Sequence, residues 1–175
     1  MKNLLLALFT SLLLVTGCAT TDTSDIMIEA ESDPTVKFSG YTSYTWLGSA
    51  SILYDPAGQW EPPGFDADSE IMFLIDSELR QRGMSEDSAN PGLIVAFAAG
   101  IDMTAIIEEI DPDSNIASLK NVPEGGLVVV LIDAHTGVVV WAGLALGEIK
   151  QDADQEMIKG RLKYAVSSMF KKLPK

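Results

Sequence analysis

The stretch "GLVVVLIDAHTGVVVWAGLALG", Gly126–Gly147, decides the fold. Two β-branched apolar runs flank Asp133-Ala134-His135-Thr136-Gly137, a segment of turn formers, so the chain reverses there as a β-hairpin. Across its second strand Val138, Val140 and Ala142 fall on one face and Val139, Trp141 and Gly143 on the other. Asp133 ends the first strand and is placed to bond the turn backbone. A sheet therefore organises this end of the chain.

Working upstream, "PGLIVAFAAGI" (Pro91–Ile101) is a nearly continuous apolar run after a Pro-Gly turn, the pattern of a central strand. Before it the period changes. Ile71, Leu74, Ile75 and Leu79 share one face of a helix, with Asp66, Asp68 and Glu70 near its start, Arg80 and Arg82 near its end, and Gly83 placed as a left-handed cap. Strand, helix and strand form one right-handed crossover. Further upstream, "YTSYTWL" (Tyr41–Leu47) is β-rich, with Thr42, Tyr44 and Trp46 on one face, and Ile26–Pro34 reads as a first strand stopped by its proline. Gly48–Phe65 reads as a long loop with room for a short edge strand in Ser51–Asp55. Met103–Ile110 returns as another strand, and Asp111–Gly126 has the composition of a loop.

Downstream of the hairpin, Ile158, Leu162, Ala165, Val166, Met169 and Leu173 form the stripe of a second helix that stops before Pro174. Two amphipathic helices need one sheet face to bury their stripes. The expected fold is an α+β two-layer sandwich: a mixed, mostly antiparallel sheet of five or six strands with two helices packed on one face. Tyr44, Phe97 and above all Trp46 and Trp141 are expected in its core.

The N-terminus has a separate logic. Lys2 precedes an apolar run, Leu4–Val15, and then Thr16, Gly17 and Cys18, the only cysteine of the 175 residues. Twelve helical residues rise only about 18 Å, short of the ~30 Å of a hydrocarbon core, so the run reads as a removed targeting signal. Val15-Thr16-Gly17-Cys18 resembles the lipobox of bacterial lipoproteins, which implies cleavage between Gly17 and Cys18 and acylation of the Cys18 thiol. Several acyl chains on one residue anchor a protein stably. The expected organisation is residues 1–17 as signal, 18–25 as a flexible tether and 26–175 as a single periplasmic domain. With Cys18 acylated no disulfide forms.

The net charge of −13 becomes one unit more negative when Lys2 leaves. Such a body should avoid nucleic acid. Residues 155–175 run the other way, with six Lys or Arg against Glu156 alone. Lys159, Arg161 and Lys163 within them are the candidate surface for an envelope protein partner.

Four blocks, "DPTVKFSGYTSYTWL" (Asp33–Leu47), "IMFLIDSELRQRG" (Ile71–Gly83), "PGLIVAF" (Pro91–Phe97) and "EGGLVVVLIDAHTGVVVWAGLA" (Glu124–Ala145), resemble in that order the domain of unknown function 4136 family of bacterial lipoproteins. The chain departs from that pattern at Gly92, where the family usually has an acidic residue. The resemblance implies a Gram-negative envelope lipoprotein with a mixed sheet and two helices, and it lends no activity. In such lipoproteins an aspartate after the cysteine commonly signals inner-membrane retention; Ala19 stands here, which favours the outer membrane, facing the periplasm.

The residues offer little catalytic chemistry. His135, the sole histidine, sits in a turn and reads as a solvated turn residue, not a general base. Zinc or iron would need several His or Cys ligands. Asp111, Asp113 and Asn115 begin like a calcium loop, but Ile116 and Val122 stand where the sharp-turn glycine and bidentate glutamate belong. No cofactor, metal or catalytic set is expected. The sequence points to a monomeric, non-enzymatic binding or assembly module held on a membrane through Cys18. Its rivals are a lipid-handling protein, marked by a continuous apolar groove between helix and sheet, and a hydrolase using converging carboxylates with a raised pKa.

Overall fold

The structure is a computed structural model that describes residues 21–110, 117–150 and 152–175. The signal, Cys18, Gly17 and the calcium-like residues Asp111, Asp113 and Asn115 lie outside the described residues. The strands are β1 (Met27–Ser32), β2 (Ser43–Tyr54), β3 (Ser85–Glu86), β4 (Leu93–Asp102), β5 (Ile106–Ile110), β6 (Ala117–Asn121), β7 (Glu124–Asp133) and β8 (Val139–Glu148). The helices are α1 (Ala67–Gln81) and α2 (Gln155–Lys171).

Six strands form one sheet in the order β1-β8-β7-β4-β2-β3, and β5 pairs with β6 in a separate antiparallel ladder. The β2–β4 and β2–β3 pairs are parallel; β1–β8, β8–β7 and β7–β4 are antiparallel. This is the expected α+β fold, with the crossover from β2 through α1 to β4. The hairpin read at Gly126–Gly147 is β7 and β8.

One sheet face carries the core. Tyr44, Leu93, Val95, Phe97, Val129, Leu131 and Trp141 are buried against Ile71, Ile75 and Leu79 of α1 and Ala165, Val166, Met169 and Phe170 of α2. Each such large apolar side chain contributes about 1.5–3 kcal/mol by leaving water. On the opposite face Ile94, Ala98, Val130 and Leu144 are only partly buried, and Val128 and Met27 are exposed.

The helix ends follow from local chemistry. Asp66 caps α1 by accepting the amide of Ser69 at 3.0 Å, and Asp154 caps α2 by accepting that of Met157 at 2.8 Å. Gly83 takes φ +83° after α1, where its amide and that of Met84 bond back to Arg80 and Leu79.

Several expectations are corrected. The segment read as Tyr41–Leu47 plus a loop is one twelve-residue strand, β2, because a bulge between Trp46 and Gly48 lets the pairing continue along β4. Ala117–Asn121, read as loop, pairs as β6. Val140 and Trp141, placed on opposite faces by alternation, are both buried, because the β7–β8 register shifts between Leu131 and Ile132. Trp141 is 1% exposed, whereas Trp46 is partly buried and packs edge-on to Tyr44 and Phe97.

Candidate functional site

A cavity of about 730 Å³ opens between the helix layer and the end of the sheet. Its sheet wall is Ala99 and Ile101 of β4, Gly126 and Leu127 of β7, and Ala145 of β8. Its helix wall is Ala67 and Ile71 of α1 with Ile158, Leu162 and Ala165 of α2. Ile158 and Leu162 belong to the stripe read from the sequence, yet neither is fully buried as Val166 and Met169 are, because they face this space. Small residues make the room. Ala99, Gly125 and Ala145 leave a hollow where β4, β7 and β8 would otherwise present large side chains to the helices.

The third wall is the connection after β2. Asp55 accepts the amide of Trp60 at 2.7 Å and ties this turn together, which sets Gln59–Gly64 along the cavity before Asp66 starts α1. The long proline-rich segment thus has a place in the fold. Glu61, Glu148, Lys150 and Asp152 add polar groups to the wall. Lys150 is tied to Glu148 at 2.6 Å, a bond that raises its pKa and keeps it charged.

Beside the cavity lies a polar cluster centred on Arg161. Arg161 donates to both oxygens of Asp25, at 2.8 and 2.7 Å, and also to the carbonyls of Asp22 and Glu148. Asp25 in turn accepts the amide of Glu148 at 2.9 Å. The Arg161 hydrogen bonds, with help from that amide, hold the Asp25 carboxyl down to about 2 against the opposing effect of burial. One residue away, Gly160 stands inside α2, where glycine costs about 1 kcal/mol relative to alanine. A Cβ there would come within 2.5 Å of the Thr21 side chain. Gly160 therefore admits the segment Thr21–Asp25 onto the helix, and Arg161 holds it. The sequence marked residues 18–25 only as tether; Asp25 and its arginine, 136 residues apart, carry no local signal that links them.

The three candidate surface cations have different surroundings. Arg161 is committed to Asp25, and its side chain is 12% exposed. Lys159 lies 3.6 Å from Glu70 and over the ring of Phe65, which joins α2 to the start of α1. Lys163 is exposed.

At the other end of the sheet, Asp133 accepts from the amides of His135 and Thr136 and from the Tyr41 hydroxyl at 2.7 Å. These bonds, Tyr41 first, hold its carboxyl down to about 2, while burial and this partner push Tyr41 up to about 12. His135 is exposed in the turn. Among the described residues, every aspartate whose titration is displaced, namely Asp22, Asp25, Asp33, Asp55, Asp66, Asp76 and Asp133, is displaced downward. These carboxylates stay ionised. A proton donor near neutral pH needs the opposite shift.

Among the described residues no cluster of three His, Cys, Asp or Glu is arranged to hold a metal, and no helix is long and apolar enough to cross a membrane.

Comparison with solved structures supports the fold. A DUF4136 family protein from Bacteroides thetaiotaomicron is 10% identical, with 84% of this chain and 95% of that one covered and a TM-score of 0.54. A PDZ domain protein from Parabacteroides distasonis is 14% identical over 86% of this chain, with a TM-score of 0.51. This chain spans only 37% of that second protein's length. Among curated proteins no sequence matches. The family model described as Domain of unknown function (DUF4136) matches residues 28–175, most of the chain. The chain belongs to the DUF4136 family.

Proposed function

We propose that this protein is a lipid-anchored envelope module that works by binding an apolar molecule, without catalysis, in the cavity between its helices and its sheet. The observation that carries the reading is the cavity itself. Its volume of about 730 Å³ falls in the ~300–1,000 Å³ range of small-molecule sites. Its sheet and helix walls are apolar, and the two cations on its wall, Lys150 and Arg161, are paired with Glu148 and Asp25. The downward-displaced aspartates favour binding over hydrolysis, since none of them is a proton donor near neutral pH.

In this reading Cys18 is the acylated first residue of the mature chain, residues 1–17 are removed, and the domain faces the periplasm from the outer membrane as a monomer. The short apolar run, the small residues before the cysteine and Ala19 after it support that placement. Lys159 and Lys163 belong to the reading as the surface that meets an envelope protein, an attraction that salt weakens.

The test is a titration of the full chain bearing Cys18→Ser with a fluorescent long-chain fatty acid. Saturable binding is expected, reduced at least tenfold by Ala99→Phe, which fills the sheet side of the cavity. Absence of binding, binding indifferent to Ala99→Phe, or a hydrolytic activity lost on a single carboxylate substitution would overturn the proposal. Intact mass of the wild-type protein from a Gram-negative host tests the anchor separately: a mature chain beginning at acylated Cys18 is expected.

A further inference from the structure

We infer that the occupant of the cavity is an acyl chain attached to this protein's own Cys18, so that the anchor is partly stowed inside the domain it anchors. The inference rests on the reading of Cys18 as acylated and of the cavity as an apolar binding site. Its own support is the course of the chain before β1. Thr21 sits on the face of α2 that Gly160 leaves bare. Asp22 and Asp25 are held by Arg161, and Arg161, Glu148 and Ile26 are themselves on the cavity wall. The last residues before the strand are thus fixed beside the cavity.

Only Ala19 and Thr20 intervene between Cys18 and Thr21. Three residues of extended chain span at most about 11 Å. The acylated sulfur and amine of Cys18 are therefore confined to within about that distance of Thr21, whatever path those residues take. An acyl chain starting there reaches the cavity wall without Thr21–Asp25 releasing its contacts.

The capacity also fits. If a methylene takes about the ~30 Å³ that a water molecule occupies in the liquid, a cavity of about 730 Å³ holds on the order of twenty of them, enough for one long acyl chain and too few for three. One chain would be stowed while the others stay in the bilayer. A tethered chain also has the advantage of concentration, since a short linker presents it at about millimolar effective concentration or above.

The experiment uses the full-length protein made in a Gram-negative host fed a fatty acid that carries a photoreactive diazirine, which enters both the Cys18 lipid and the phospholipids. After irradiation of membranes, crosslinks from the Cys18 lipid to peptides containing Leu127, Ile158 or Leu162 are expected within the same chain. Gly160→Gln, which pushes Thr21 off the helix, is expected to reduce them at least fivefold. In the Cys18→Ser background the same Gly160→Gln change is expected to leave binding of the fluorescent fatty acid within twofold, which shows that the fold and cavity persist. If the cavity peptides crosslink to phospholipid as strongly in Cys18→Ser as in the wild type, the chain comes from the bilayer and the inference is overturned. Crosslinks of the Cys18 lipid confined to other lipids or to peptides outside the cavity also overturn it, even where the fluorescent fatty acid binds and the cavity reading stands. Failure of the fatty acid to bind sinks the cavity reading first and this one with it.

Discussion

Trp141 shows how much a single position settles. It is the largest fully buried side chain, its ring 5.1 Å from that of Phe170, and it fits because its neighbour two residues on is Gly143. A Cβ at Gly143 would come within 2.5 Å of the indole and 3.1 Å of the Met169 sulfur. Trp141→Ala should therefore lower stability by about 3–5 kcal/mol, and Trp46→Ala, on a partly buried ring, by less. The indole Nε1–H of Trp141 finds no acceptor among the described residues. Trp141→Phe should accordingly cost less than about 2 kcal/mol, since no hydrogen bond is lost. Chemical denaturation of the three variants checks this order. The aromatic core was legible from β-alternation. Phe170 was not singled out, although it follows Val166 by four residues and so continues the α2 stripe. The Asp25–Arg161 pair was illegible, because a contact across the whole domain leaves no periodic trace in the chain.

The two helices are joined at both ends by side chains, Lys159 with Glu70 at one and Arg82 at the other, as well as by packing. Arg82, just past the end of α1, donates to the carbonyls of Phe170, Leu173 and Pro174 at the end of α2. They stand in the last turn of the helix and just beyond it, where carbonyls outnumber amide donors, and a cation at that end also complements the helix dipole. Burial lowers the pKa of Arg82, but a guanidinium remains charged there. Arg82→Ala should cost about 1–3 kcal/mol, more than Arg80→Ala, whose partner is Asp76 on the helix surface. Thermal unfolding of the pair measures the difference. The elements themselves were largely readable: both helices, their caps and the β7–β8 hairpin follow from periodicity and turn chemistry. What escaped was bulge geometry. An extra residue at Leu47 carries β2 through Gly48, Ser49 and Ala50, which lack a strand signature, and joins it to the edge strand read at Ser51–Asp55 by pairing along β4.

Over the whole molecule, the Asp25 clamp couples fold stability to acidity. A carboxyl held at about 2 in the fold and at 3.8 otherwise stabilises the fold fully above pH ~4, and that stabilisation is lost as pH falls through 2. Its size is on the order of 2 kcal/mol at neutral pH. Asp25→Asn should remove it, so that the gap in unfolding free energy between wild type and variant narrows from pH 5 to pH 2. Denaturant midpoints across that range supply the measurement; a constant gap would contradict the clamp. The same join between the chain's two ends has a kinetic meaning. β1 pairs only with β8, from Met27 with Leu146 to Ser32 with Trp141. A ribosome therefore makes the first strand long before its neighbour, while β7 and β8 are separated by a turn and can pair at once. Contacts so distant in sequence are the slow ones to form. During synthesis β1 has no strand partner until β8 has been made, and the sheet closes only after that last strand has emerged.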